Sequence, residues 1–381
     1  MVLSYRHAFH AGNPGDVLKH AVLSVLLRRI LSPKEGLRKT LLYTDTHAGG
    51  GVYDFGCGFA QQNREFEAGI GCLVRNVSSN RCTSPPTALA EYLRCIVAVN
   101  ELRVLNRRTA TNLNNTLSQL SITDLCHRLL RTHVAHRTVE YPFRLYPSSS
   151  WIARYLAFTS ESDSQSIAPD RFHLFDMHPS EVTSLQTVFS SGHATVARKH
   201  TLRSAADWLP KSSAEWAAGV TVHHMDGFVP LQTPPLQDPY LSSFVLVDPP
   251  FEAKSDYSRV ESALAMAITQ RHALNSTWMC WYPLLDSNSS AISTLRNRCA
   301  KIHTPDTRVS LGELHVDNAS LGSHTIRRGM YGSGVVVVTS PCETVERTMR
   351  SLLPWLGEIL SNGPMKPNVK WSFTTFPANE S

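Results

Sequence analysis

A chain of 381 residues with 42% hydrophobic and 18% charged content can bury one large core or two smaller ones, which excludes disorder as its resting state. No apolar run approaches the roughly 20 residues of a membrane-spanning helix, stretches such as Gly334 to Thr339 being strand-sized, so no membrane partner is expected. A net charge of +6 favours a polyanionic partner, and eight cysteines without a Cys-x-x-Cys pair point to free thiols in a reducing compartment, away from a disulfide framework or a zinc site.

The basic, acid-poor N-terminus "MVLSYRHAFHAGNPGDVLKH" has some character of an organellar presequence, but it runs directly into patterned sequence and reads as part of the fold. From Asp16 to Leu31 apolar residues recur at helical spacing (Val17, Leu18, Ala21, Val22, Val25), with Asn13-Pro14-Gly15 as the turn that starts the helix. Thr40 to Thr44 is a short apolar strand that breaks into Asp45-Thr46-His47-Ala48 and a run of three glycines. Residues 56–145 then change character, with helix-like pieces at Ala88 to Val99 and Leu117 to Leu130, and are expected to form an inserted helical subdomain. The flanking segments, 1–55 and 146–381, are expected to make up the main domain. In the second of these, strand-like runs ("RFHLFD", "GVTVHH", "SSFVLV", "TWMCWYP", "RVSLGELHV", "GSGVVVVTS") alternate with helical stretches at Pro179 to Val188, Val260 to Ala273 and Ala291 to Ala300. Alternation of this kind predicts an α/β fold, a doubly wound, mostly parallel Rossmann-like sheet.

In such sheets ligands collect beyond the carboxyl ends of the strands, at the point where the strand order reverses. Acids end four of the predicted strands: Asp45, Asp176, Asp226 and Asp248. Gly49 and Gly51 allow positive φ and close approach of the backbone to a ligand, and an acid after the next strand, Asp176, is the candidate partner of a ribose diol. A nicotinamide fingerprint would need glycine at position 54, where Asp54 stands. Asp248-Pro249-Pro250-Phe251 explains why an apolar strand should end in an acid, two prolines and an aromatic. The carboxylate and a proline-region carbonyl can both face one ligand amine, and Phe251 offers a ring to a planar base. His7 with His10, and the adjacent His223 and His224, lack companion ligands at metal-binding spacing, so no metal is expected.

This pattern, a glycine loop after strand one, acids after strands two and three and Asp-Pro-Pro-Phe after strand four, resembles the S-adenosylmethionine-dependent amino methyltransferases of class I fold. More closely, the blocks "LSYRHAFHAGNPGDVLKH", "YTDTHAGGGVYDFG", "LYPSSSWIAR", "MHPSE", "MDGF", "LVDPPFEAKSDY", "WYP", "RRGMYGSG" and "LPWL" resemble the RlmJ-type large-subunit ribosomal RNA adenine-N(6) methyltransferases, in order along nearly the whole chain except about 100–142. The resemblance implies S-adenosylmethionine as cofactor, held by His20, His47, Gly49, Gly51, Ser149, Asp176, Asp226, Gly227 and Asp248. It implies catalysis by Asp248 with Pro249, Pro250 and Phe251, and substrate contacts from Tyr5, His7 and Lys19. Two positions depart from the family pattern: Phe251 stands where the family often has Tyr, and "YPSSS" replaces "YPGSP". The lengthened insertion carries Arg103, Arg107, Arg108, Arg128, Arg131 and Arg137, either an extended RNA footprint or a solvated basic face.

The expected partner is ribosomal RNA, protein-free or in early assembly, methylated on the exocyclic N6 amine of an adenine by a cytoplasmic or organellar monomer. The same residues could serve DNA adenine or a protein amide. A non-catalytic RNA-binding factor would be expected to have lost an acid or the glycine loop, and the chain keeps both.

Overall fold

A computed structural model describes residues 7–32, 38–134, 143–160, 169–191, 209–232, 241–274, 276–301, 306–317, 330–361 and 368–376. Eight strands form one sheet: β1 Thr40–Asp45, β2 Arg171–Asp176, β3 Val220–His224, β4 Leu241–Val247, β5 Ser276–Leu285, β6 Arg308–Asp317, β7 Met330–Thr339 and β8 Asn368–Phe376. They lie in the order β3-β2-β1-β4-β5-β7-β6-β8. The first five are parallel; β7, β6 and β8 are joined antiparallel. The order reverses between β1 and β4, as the alternation of strands and helices led one to expect for a doubly wound sheet.

Both faces of this sheet are covered, which is why its strands read as near-continuous apolar runs. Successive side chains of a strand point to opposite faces. On β4, Phe244 and Leu246 accordingly enter one cluster and Val245 and Val247 another; on β7, Val335 and Val337 part from Val336 and Val338 in the same way. The first cluster lies beneath α1 (Pro14–Leu31), whose start is set by Asn13, its side chain accepting the Asp16 N–H, and by Pro14 in the first turn. It also takes in buried residues of the segment between β1 and β2, from helices α2 (Ile70–Ser78), α3 (Leu89–Glu101), α4 (Arg107–Ser118), α5 (Ile122–Val134) and α6 (Ser149–Ser160). The second cluster lies beneath α8 (Ser255–Leu274) and α9 (Ser289–Lys301); α7 (Pro179–Phe189), earlier in the chain, follows β2, and α10 (Glu343–Ser361) closes the first face. The single helix expected over Leu117 to Leu130 is two, α4 and α5. Ser121 breaks the run because its hydroxyl accepts the Asp124 N–H at 3.1 Å and starts a new helix.

Two insertion arginines are spent internally: Arg128 grips Glu101 with both ends of its guanidinium, and Arg107 lies 4.9 Å over the Phe158 ring. Arg137 lies outside the described residues.

A buried acid in β6 fastens the antiparallel half. Glu313, 3% exposed, accepts from Tyr282, Arg296, His315 and Ser372. Burial would raise its pKa, but His315, Arg296 and Tyr282 together hold it down at about 2 against an ordinary 4.5. A carboxylate depressed on folding stabilises the protein above its unfolded pKa and loses that contribution as pH falls through the folded one. The shift corresponds to about 3 kcal/mol. Glu313→Gln is therefore expected to unfold at lower denaturant concentration at pH 7, with the deficit shrinking between pH 4.5 and pH 2; urea titrations across that window test it.

Candidate active site

At the switch point the chain leaving β1 is pulled both ways. The Thr46 N–H bonds to the Leu246 carbonyl of β4 at 3.0 Å and the Ala48 N–H to the Phe175 carbonyl of β2 at 2.9 Å, so the loop opens a crevice at the strand ends. Register fixes where the acids fall. Asp45 pairs with Leu174 and Leu246, which sets Asp176 and Asp248 two residues further out; Asp176 pairs with His224, which sets Asp226 two beyond that.

The glycine turn is shaped by contacts that leave no room for a side chain. Gly49 has φ +62°, and a Cβ there would fall 2.1 Å from the Tyr53 hydroxyl, which itself accepts the Gly50 N–H at 2.9 Å. Gly51 has φ +83° and packs against Val188. Gly227 serves packing instead: a Cβ would lie 2.0 Å from the Thr46 carbonyl oxygen. Gly49→Ala is expected to weaken S-adenosylmethionine binding at least tenfold by calorimetric titration, since it strains the backbone and intrudes on the loop that forms the crevice wall.

A cavity of about 370 Å³ occupies the crevice, lined among others by His20, His47, Gly49, Ser149, Asp176, Asp226 and Asp248. Most of the residues expected to hold the cofactor therefore come together around one space, while Gly51 and Gly227 sit behind its walls. Asp176 accepts the Gly49 N–H at 3.1 Å and the His178 N–H at 2.7 Å, and burial raises its pKa. Asp226 accepts the Phe228 N–H at 3.0 Å and pairs with Arg259, whose guanidinium lies 4.0 Å over the Phe228 ring. Burial would raise the Asp226 pKa, but the Phe228 N–H and Arg259 bring it below the ordinary value. Ser149, in the cavity wall, donates to Asp45 at 2.6 Å; Asp45 is fully buried, and its pKa is pushed up to about 6 by that burial.

His20 and His47 are both pushed down to about 3 by burial and so are neutral at physiological pH. The Nδ1 of His20 meets the Tyr146 hydroxyl at 2.9 Å, whereas its Nε2 is buried with no hydrogen-bond partner among the described residues. A buried polar atom left without a partner beside a cavity fits a site completed by a polar ligand.

Asp248 is held from the opposite side. Lys19, 3% exposed, donates to Asp248 at 2.7 Å and to Asp16 at 2.8 Å, and Asp16 in turn accepts from His7 at 2.9 Å and the Gly12 N–H at 2.8 Å. Burial would lower the Lys19 pKa, but the two carboxylates raise it above its ordinary value, so the ammonium stays charged. Lys19 and His7 thus stand at the site, with their polar atoms engaged by acids. Tyr5 lies outside the described residues.

A second cavity, of about 790 Å³, meets the first at His7, Lys19, Asp248 and Pro250. Phe251 lines this second cavity and not the first. It is more enclosed than the open stacking face suggested by the sequence, at 6% exposed, its ring packing 4.7 Å from Tyr257 and 6.1 Å from Trp281; its backbone takes φ +53°. A left-handed non-glycine residue costs about 1–3 kcal/mol and persists where its surroundings hold it, often at functional sites. Pro249 lines neither cavity. Sequence reasoning passed over Asp16, Tyr53, Glu181 and Arg259, which complete the walls; Asp16, three residues before Lys19 on one helix face, carried a usable signal.

Residues 199–373 match the family model described as ribosomal RNA large subunit methyltransferase D, RlmJ. The protein named ribosomal RNA large subunit methyltransferase J from Escherichia coli strain K12 is 28% identical over 374 residues, 97% of this chain and 99% of that one. Its namesake from Haemophilus influenzae is 26% identical over 373 residues, with the same coverage of 97% and 99%. The crystal structure of protein LPL1258 from Legionella pneumophila, assigned to the DUF519 family, superposes with a TM-score of 0.57 at 20% identity, covering 97% of this chain and 99% of that one, and shares the fold.

Proposed function

From the premise that this chain is of the RlmJ type, similar over 97% of its length to two proteins named ribosomal RNA large subunit methyltransferase J, we propose that it methylates the exocyclic N6 amine of an adenine in large-subunit ribosomal RNA. The observation that carries the reading is that Asp248, clamped by a buried ammonium, belongs to both cavities at once.

The smaller cavity suits S-adenosylmethionine, which supplies a methyl group on a sulfonium sulfur. Asp176 takes the ribose hydroxyls, Asp226 the adenine amine, and His20 Nε2 is a buried polar atom free to meet a polar group of the ligand. The turn at Gly49 lets the backbone approach closely. Asp248 and a backbone carbonyl of the Pro249-Pro250 turn, whose second proline lines both cavities, accept the two N–H groups of the target amine, which turns the nitrogen lone pair toward the electrophile and favours the near-attack geometry. As nitrogen gains its methyl it sheds a proton, which Asp248 is placed to receive, and Lys19 holds that carboxylate in position. Phe251 walls the space where the base lies. A base in that space has left its stack and its pairing partner, so RNA not yet covered by ribosomal proteins is the natural substrate.

Incubation with labelled S-adenosylmethionine and, in separate arms, protein-free large-subunit RNA, assembled subunits, DNA and a glutamine peptide tests this. Label in protein-free RNA alone is expected. Label in DNA or peptide would move the protein to another amine substrate, and cofactor binding without label anywhere would make it a non-catalytic factor.

A further inference from the structure

The two cavities are unequal in a direction that one target base does not explain. About 370 Å³ lies on the cofactor side, where a whole nucleoside and an amino-acid chain have to fit, and about 790 Å³ lies on the side where only a base is required. A single adenine is smaller than S-adenosylmethionine, yet it has more than twice the space.

The walls of the surplus volume are divided. One side is polar, with His10, Asn63, Arg64, Glu65 and Glu67; beyond Phe251 the other is apolar, formed by Trp281, Pro283, Leu285, Leu314 and Met330 from β5, β6 and β7. Apolar and aromatic surface of this second kind receives the face of a ring. Trp281 stands where the walls converge. It packs against both hydrophobic clusters, the edge of its ring meets Phe251, and Lys19, the clamp on Asp248, lies 5.7 Å over it. Its indole N–H is buried with no hydrogen-bond partner among the described residues.

We propose that the larger cavity is a two-base site, in which the nucleobase next to the methylated adenine lodges against Trp281. The inference rests on the RNA-methylating reading above and narrows its substrate to RNA whose target adenine has an unpaired neighbour. Occupying the second position anchors the strand beside Asp248, and the energy of stacking the neighbour offsets the cost of extruding the target.

The test uses wild-type protein and synthetic RNAs spanning the methylated adenine, with the 5′ or the 3′ neighbouring nucleotide made abasic. One of the two is expected to lose about tenfold or more in kcat/KM, the scale of one base stacked on an aromatic ring, while the other stays within twofold of intact RNA. Trp281→Ala should lose a similar factor on intact RNA and almost nothing further on the sensitive abasic RNA, with cofactor affinity unchanged. Both abasic RNAs turning over as fast as intact RNA would overturn the second site while leaving the RNA methyltransferase reading in place. No methylation of intact RNA would overturn that reading and the second site with it. The wild-type comparison decides the matter even if the tryptophan variant fails to fold.

Discussion

Asp248→Ala is expected to lower turnover by about 10²- to 10⁴-fold, the usual range for removing a positioned acid–base group, while S-adenosylmethionine affinity changes only a few-fold. The split follows from the geometry. The carboxylate touches the cofactor space at its border with the second cavity, whereas Asp176, Asp226 and His20 line the cofactor cavity independently of it. Folding should survive, because Lys19 keeps Asp16 at 2.8 Å and is not left as an unpaired buried cation. Calorimetric titration beside a methylation assay separates the two effects; equal losses in both would make Asp248 a binding residue only.

Lys19→Met is expected to be worse for the protein as a whole. It removes the cation between two carboxylates and leaves Asp248 without its ion-pair partner, the kind of change that costs about 3–5 kcal/mol when a buried pair is broken from one side. Asp16 is buffered by His7 and the Gly12 N–H, so the damage concentrates on Asp248. Without the ammonium the Asp248 carboxylate also loses the contact that fixes its position beside both cavities, so turnover should fall along with stability. Urea unfolding and a methylation assay measure the two halves of the expectation; wild-type stability with wild-type turnover would show that the clamp does neither.

The sequence reveals this site unevenly, and the reasons are physical. Asp45, Asp176, Asp226 and Asp248 could be placed at strand ends because apolar runs with turn residues after them mark where strands stop, and parallel register then gathers those ends into one crevice. The glycine turn was visible for the same reason. The pairing of Lys19 with Asp248 was not, since it joins residues 229 positions apart and depends on how α1 crosses the sheet. Nor was the enclosure of Phe251, which comes from packing against Tyr257 and Trp281, residues beyond the Asp-Pro-Pro-Phe motif. Of the helices between β1 and β2, α3 was legible and α4 and α5 were read in part as one run; that their apolar faces share a cluster with Phe244 and Leu246 of the sheet is a fact of packing, invisible to periodicity.

The most direct measurement is nucleoside analysis by mass spectrometry of large-subunit RNA after incubation with this protein and isotopically labelled S-adenosylmethionine, alongside its Asp248→Asn variant. Labelled N6-methyladenosine at a single site with the wild type, and none with the variant, is the expected result. Label on a ring nitrogen, a ribose or another base, or an undiminished signal from the variant, would contradict an amine held at Asp248 as the centre of the chemistry.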